Sequence, residues 1–243
     1  MISNELRLSD IDTVIVDLDG TMVDTVGDFC VALNLMLRDL PPPFDACSIE
    51  ALQVSQMIGK GSENLIKSVL SHVSLSGAAI NFDIKPGQVG DLDALFEPAW
   101  LSYQRHYRSV NGQNATVFSG VLAGLQQLKA AGIRMACLTN KPTDFALALL
   151  KEKGLDSFFE HTFGGDAFEY KKPHPLPLLK TCEAMGSLAH RTLMVGDSSN
   201  DAQAARAAGC PVVLVTYGYN HGEPIQSVDA DGYLDSLENL VLV

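Results

Sequence analysis

Four short runs of polar residues in this chain have the types and spacing of a site that handles an anion. Asp17-Leu-Asp19-Gly-Thr21, with Asp24 close behind, sets two carboxylates two residues apart ahead of a glycine and a hydroxyl. Thr139-Asn140-Lys141 offers a hydroxyl and an amide, and Lys171-Lys172-Pro173 offers an ammonium from one of two adjacent lysines. Gly196-Asp197-Ser198-Ser-Asn-Asp201 adds two more carboxylates. If Asp17, Asp19 and Asp197 meet, they repel one another, and such a cluster is stabilised by a hard divalent cation with oxygen ligands. Mg²⁺ is the natural candidate. A cation, a hydroxyl, backbone donors at a helix start and a lysine together can bind the oxygens of a phosphoryl group. A carboxylate in that setting can act as a nucleophile and form an aspartyl-phosphate.

Each run alone also has a plainer reading. Asp and Gly dominate turns, Thr139 and Ser198 have the chemistry of helix N-caps, and a lysine pair can be a solvated turn. Their order along the chain weighs against that reading, because each follows a strand-like segment. Thr13-Val-Ile-Val-Asp17 is a β-branched apolar run of the kind buried in a parallel sheet. Further strands are expected at 133–138, near 160–163, at 191–195 and at 212–215. Helices are expected near 121–131, 143–153, 176–185 and 200–208, where Gly132, Gly154 and Gly209 stand as C′ residues. Alternation of this kind is the pattern of an α/β fold. In an open parallel sheet ligands bind beyond the carboxyl ends of the strands, which is where all four runs fall.

The first strand and the next comparable one are more than a hundred residues apart, against about 30 in an ordinary βαβ unit. The interval reads as helical: Val26 to Leu40 closed by three prolines, Ile49 to Ile58, Ser62 to Val73, and Asp91 to about Tyr107. Asn81 to Gly90 reads as a looser connection. The expectation is a small helical domain over 25–107, inserted into a core made of 1–24 and 108–243. The last ten or so residues read as a short helix and tail. Tyr103, Arg105, His106 and Arg108 form a polar group at helical spacing that reads as surface.

Composition sets the outer limits. The chain has 243 residues, 47% of them hydrophobic and 19% charged, with a mean hydropathy of +0.12. That suits one full domain with a smaller partner and a sizeable core. Apolar runs such as Val212 to Val215 are strand-sized, well short of the ~20 residues of a membrane span. The first residues mix Glu5, Asp10 and Asp12 among apolar ones, unlike an export signal, so the expected compartment is the cytoplasm. A formal charge of −12 opposes nucleic acid as a partner. Five scattered cysteines without a CxxC pair read as buried thiols of a reducing compartment. A small-molecule phosphate ester is the expected partner, and the chain is expected to be a monomer or a small homo-oligomer.

In order, Asp17-Leu-Asp-Gly-Thr21, Leu138-Thr139-Asn140, Lys172-Pro173 and Gly196-Asp197-Ser198-x-x-Asp201 resemble the four motifs of the haloacid dehalogenase-like phosphatase superfamily. The resemblance covers nearly the whole chain. The stretches LTNKPTDFALALLKEKGL, GGDAFEYKKPHPLPLL, VGDSSNDAQAARAAGCP and VTYGYNHG are similar to bacterial phosphoglycolate phosphatases. It implies a Rossmann-like core with a helical cap closing over its active edge. Carried over residue by residue, it makes Asp17 the nucleophile and Asp19 the general acid and base. Asp17, Asp197 and the backbone carbonyl of Asp19 would hold Mg²⁺. Thr139 and the backbone of Asn140 would hold phosphoryl oxygens. Lys172, the lysine directly before proline, would neutralise charge on Asp17 and the phosphoryl group. Asp201 would orient Lys172 or a metal-bound water. Expulsion of an alkoxide requires a proton, so Asp19 is expected to enter the first step carrying one.

Substrate choice is expected to lie in the cap. Ile58-Gly-Lys60-Gly61 leads into a helix start, where a lysine and backbone donors would suit a second anion such as the carboxylate of 2-phosphoglycolate. A flexible turn with a solvated lysine is the other reading. A sugar-phosphate phosphatase, a phosphoglucomutase-like transferase and a catalytically silent phosphate-binding regulator are the alternatives. A dehalogenase fits less well, because halide departure has no use for Asp19 as an acid.

Overall fold

A computed structural model of the chain describes residues 10–77 and 92–240. Its contacts gather into two compact units, one made of the chain up to Asp24 and from Thr116 onward, the other of Thr25–Ala115. From the sequence, the return to the first unit is expected at 108. The helix there runs on to Val110, and the chain stays with the second unit to Ala115.

The first unit is built on β1 (Thr13–Val16), β4 (Arg134–Leu138), β5 (His161–Phe163), β6 (Thr192–Gly196), β7 (Val212–Val215) and β8 (Gly232–Leu234). They form one parallel sheet in the order β5-β4-β1-β6-β7-β8. All four residues of β1 are buried, as expected of a strand covered on both faces. It pairs with β4 on one side and β6 on the other, in registers Val14↔Met135 and Val14↔Leu193. Strand order therefore reverses direction at β1, and a topological switch point lies beside it. Helices α5 (Val121–Ala130), α6 (Thr143–Glu152), α7 (Leu176–Met185) and α8 (Ser199–Ala208) separate the strands in the chain. On one side of the sheet Ile15, Met194 and Leu214 pack with Leu178 of α7 and with Ala202 and Ala205 of α8. A two-residue ribbon, β2 (Val23–Asp24) with β3 (Thr116–Val117), pairs the segments where the chain leaves this unit and re-enters it.

β8 was not foreseen, and the expected terminal helix is only a 3₁₀ turn at Leu237–Asn239. The segment Asp231-Gly-Tyr-Leu lacks the apolar run of a buried strand. Long-range bonds make it one: Asp231 N–H donates to the Val212 carbonyl at 2.8 Å, and its carboxylate accepts from Val212 N–H at 2.8 Å and pairs with Arg206.

The second unit contains α1 (Val26–Asp39), α2 (Ala51–Ser55), α3 (Ser62–Gly77) and α4 (Leu92–Val110). Phe29 of α1 stacks on Tyr107 of α4 at 5.2 Å, and Tyr103 stacks on Tyr107 at 5.3 Å. Tyr103 is thus core, not surface, and is fully buried. Arg105 and His106 do face outward and bind Asp39 at 2.5 and 2.7 Å, an exposed group of little energetic consequence. Buried Asp28 accepts bonds from the N–H groups of Gly112 and Asn114, both at 2.6 Å, and so ties down the chain beyond α4. The helix expected over 49–58 spans only Ala51–Ser55: Asn34 takes both the N–H and the carbonyl of Ile49, at 3.0 and 2.9 Å, and Glu50 and Gln53 form a capping box, which together set its start. The loose connection expected at 81–90 lies outside the described residues.

Candidate active site

Asp17 is the first residue beyond β1, and its N–H still donates to the Val195 carbonyl at 2.9 Å, which fixes it at the carboxyl edge of the sheet. Thr139 N–H likewise donates to the Phe163 carbonyl at 3.0 Å. Asp197 follows β6 directly. Three of the four polar runs are therefore carried to one edge by the sheet's own ladder. Lys172 reaches that edge by its side chain: its Nζ lies 2.8 Å from Asp17 Oδ1, 2.6 Å from Asp201 Oδ1 and 2.8 Å from the Leu138 carbonyl. Neighbouring Lys171 is only half-buried, whereas Lys172 is buried. The backbone of Lys172 is held by the Asn140 side chain, which donates to its carbonyl at 2.8 Å and accepts from its N–H at 3.0 Å. Asn140 thus works through its amide as a clamp on Lys172, a use the sequence did not suggest.

Asp201 serves two masters. Its Oδ1 meets Lys172, and its Oδ2 accepts from Ser198 Oγ at 2.8 Å, Ser198 N–H at 3.1 Å and Asp197 N–H at 3.3 Å. The last two bonds satisfy donors at the start of α8, so this carboxylate caps the helix as it holds the lysine. Asp197 accepts from Thr21 Oγ1 at 3.3 Å and from Tyr219 N–H at 2.8 Å. Gly20, at φ +87°, allows this crowding, since a Cβ there would overlap Asp197 Oδ2. Asp19 is met by Lys141, whose Nζ lies 3.0 and 3.4 Å from its two oxygens. The sequence alone gives Lys141 no part. Its place two residues after Thr139, in a segment already singled out, was the available signal. Lys60 belongs to the second unit, where it is exposed in the turn ahead of α3.

Burial governs the electrostatics. It pushes the Asp17 carboxyl up to about 7, with the Lys172 ammonium opposing and the charges of Asp201 and Asp19 adding to the rise. Burial, Asp201 and Asp17 hold Asp197 well above the usual carboxylate range as well. Burial works against the charge on Lys172, but the Asp17 and Asp201 carboxylates outweigh it and raise that group. Two carboxylates so destabilised as anions suit a cation. Carboxylate oxygens of Asp17, Asp197 and Asp201 all lie within 4.8 Å of one another. Lys172 Nζ stands 2.8 Å from Asp17 Oδ1 as its counter-charge. Asp201 is engaged by the Lys172 ammonium on Oδ1 and by three donors on Oδ2, whereas Asp197 meets two neutral donors, so Asp17 and Asp197 are the better fit for a hard metal.

Below their raised pKa values both carboxyls carry protons that a cation must displace, so divalent-cation affinity should weaken on going from about pH 8 to about pH 6. Titration calorimetry in two buffers of different ionisation enthalpy should record proton release on binding. An affinity flat over that range, with no proton released, refutes this account.

A parallel α/β sheet thus gathers a buried carboxylate–lysine–carboxylate chain and a cation-suited acid pair at its switch point. Residues 11–209 match the family model of the haloacid dehalogenase-like hydrolases, and the chain belongs to that family. Hydrolases of this family are metal-dependent, in keeping with the buried acidic cluster. The chain is 42% identical over 233 residues to a phosphoglycolate phosphatase of Thiobacillus denitrificans, covering 96% of this chain and 95% of that one. It is 38% identical to the phosphoglycolate phosphatase of Nitrosospira multiformis, covering 93% and 92%. Among solved structures, a predicted phosphoglycolate phosphatase from Haemophilus somnus 129PT superposes with a TM-score of 0.83 at 29% identity, covering 95% of this chain and 96% of that one. No helix among the described residues is long and apolar enough to cross a membrane.

Proposed function

We propose that this protein is a Mg²⁺-dependent phosphomonoesterase that hydrolyses 2-phosphoglycolate to glycolate and phosphate through an aspartyl-phosphate on Asp17. The observation that carries the reading is Asp17 itself, buried at the switch point 2.8 Å from Lys172 in a chain so similar to two phosphoglycolate phosphatases. Asp17 attacks phosphorus. Thr139 and the backbone N–H of Asn140 receive phosphoryl oxygens, since the Asn140 side chain is taken up by Lys172. Lys172, held by Asp201, neutralises charge on Asp17 and on the phosphoryl group. Asp19 gives a proton to the departing alkoxide and then takes one from the water that cleaves the aspartyl-phosphate. Asp17, Asp197 and the backbone carbonyl of Asp19 would hold Mg²⁺, which when bound offsets the negative charge of the carboxylates and the phosphoryl group.

The helical unit supplies substrate choice in this reading, with Lys60 pairing with the glycolate carboxylate. Gly59 and Gly61 flank it at φ +111° and +86°, which gives the turn its sharp course into α3. The cytoplasm fits five cysteines that are all free. The test is a screen of phosphate esters at fixed Mg²⁺, ranked by kcat/KM and repeated with EDTA. The expected result is 2-phosphoglycolate first and chelator-sensitive turnover. Lys60→Ala should then lose about ten- to a hundredfold on 2-phosphoglycolate and little on p-nitrophenyl phosphate, because only the former makes that charged contact. A sugar phosphate ranked first moves the substrate assignment to that class, and binding without turnover makes the chain a regulator.

A further inference from the structure

We propose that Lys141 is a positioning residue of the reaction, holding the Asp19 carboxylate at the angle from which it serves the leaving-group oxygen. The inference rests on the phosphatase reading above. The Lys141 side chain is 1% exposed, and its Nζ straddles both oxygens of Asp19, at 3.0 and 3.4 Å. Contact with two oxygens limits rotation of the group as well as its position, and when Asp19 carries its proton the carbonyl oxygen still accepts from the ammonium while the O–H is left for the leaving group. Asp19 itself lies in a tight turn at the edge of the sheet, where Val23 N–H returns to the Leu18 carbonyl at 3.0 Å and Gly20 N–H to the Val23 carbonyl at 2.9 Å.

The lysine is itself held at both ends of its residue. Its N–H donates to Thr139 Oγ1 at 3.2 Å, and its carbonyl accepts from Gly165 N–H at 2.8 Å. Glycine at 164 and 165 makes that approach possible, since a Cβ at Gly164 would crowd the Lys141 carbonyl and Thr143, and one at Gly165 would overlap the Asn140 carbonyl. A buried ion pair is often no more stabilising than apolar side chains of the same volume, so stability alone gives little reason for an ammonium here. Position gives a better one. Lys141 belongs to the β4 loop that carries Thr139 and Asn140, and its ammonium reaches the β1 loop that carries Asp19. The groups that grip the phosphoryl oxygens and the group that serves the leaving oxygen are thereby kept in register by one side chain.

The experiment compares wild type, Lys141→Met and Lys141→Arg on three substrates: 2-phosphoglycolate, ethyl phosphate and p-nitrophenyl phosphate. Positioned proton transfer is worth about 10²- to 10⁴-fold where the leaving group needs it. Lys141→Met should therefore lose about ten- to a hundredfold in kcat on both alkyl esters, with KM little changed. Its loss on the aryl ester, whose leaving group needs little protonation, should be about tenfold smaller. Lys141→Arg should recover part of the difference. The readout is the ratio of alkyl to aryl turnover, which does not depend on the fraction of variant that folds. Equal losses on all three substrates would make the lysine structural and overturn the proposal. So would a loss confined to 2-phosphoglycolate, which would make Lys141 a reader of the carboxylate, or no loss at all. A wild type that hydrolyses none of the three would instead overturn the phosphatase reading, and this inference with it.

Discussion

Asp17→Asn should lower turnover by at least about 10⁴-fold, equivalent to ~5 kcal/mol of barrier, and should leave the protein folded. The amide keeps the volume and one carbonyl oxygen but is no anionic nucleophile, so the covalent step has no entry. Stability should move the other way from activity. In the metal-free protein burial holds the Asp17 carboxyl at about 7, far above its value in an unfolded chain. Ionisation at that position is therefore costly in the folded state above that pH, and a neutral side chain removes the cost. Lys172 keeps a carboxylate partner in Asp201, 2.6 Å away, so the substitution leaves no lysine stranded. Melting in EDTA near pH 8 should show a Tm equal to or above that of wild type. A variant that retains activity within tenfold of wild type, still abolished by chelator, would remove Asp17 from the nucleophile's place.

Asp19→Asn should show a loss that depends on what leaves. An alkoxide departs as a strong base and requires a proton in the transition state, so on 2-phosphoglycolate the loss should reach about 10²- to 10⁴-fold. p-Nitrophenolate leaves readily without one, and there the loss should be smaller by at least about tenfold. In a plot of log kcat/KM against leaving-group pKa the variant's slope should be steeper than wild type. Parallel lines would sink the general-acid assignment. Because the Asn amide cannot match the charge of Lys141, 3.0 Å from the native carboxylate, this variant should also be the less stable of the two aspartate substitutions.

The two positions differ in how much of their setting a reader of the sequence could see. That Asp17, Thr139 and Asp197 would stand together follows from local signals. Each ends a β-branched or apolar run of strand length, and parallel strands carry their next residues to a common edge. The glycine punctuation and the long interval before β4 likewise announced an α/β core with a helical insertion. These are properties of a few neighbouring residues and of period, and backbone sterics and hydrophobic patterning act at that range.

Other features came only with the tertiary structure. The resemblance singles out Lys172 over Lys171, but composition and period do not separate the two, and the physical reason, contact with Asp17 and Asp201, emerges only in the fold. Asn140 became a clamp on Lys172 across 32 positions of chain, and Lys141 met Asp19 across 122. Asn34 took both backbone groups of Ile49 and kept that residue out of the helix that follows, and Asp231 made an edge strand out of a segment without a strand's composition. Each outcome turns on a polar side chain whose partner is remote in the chain. Composition and period show where such a group sits along its own element, but its energy is set by the donor or acceptor that folding brings beside it, and only the packed chain makes that choice.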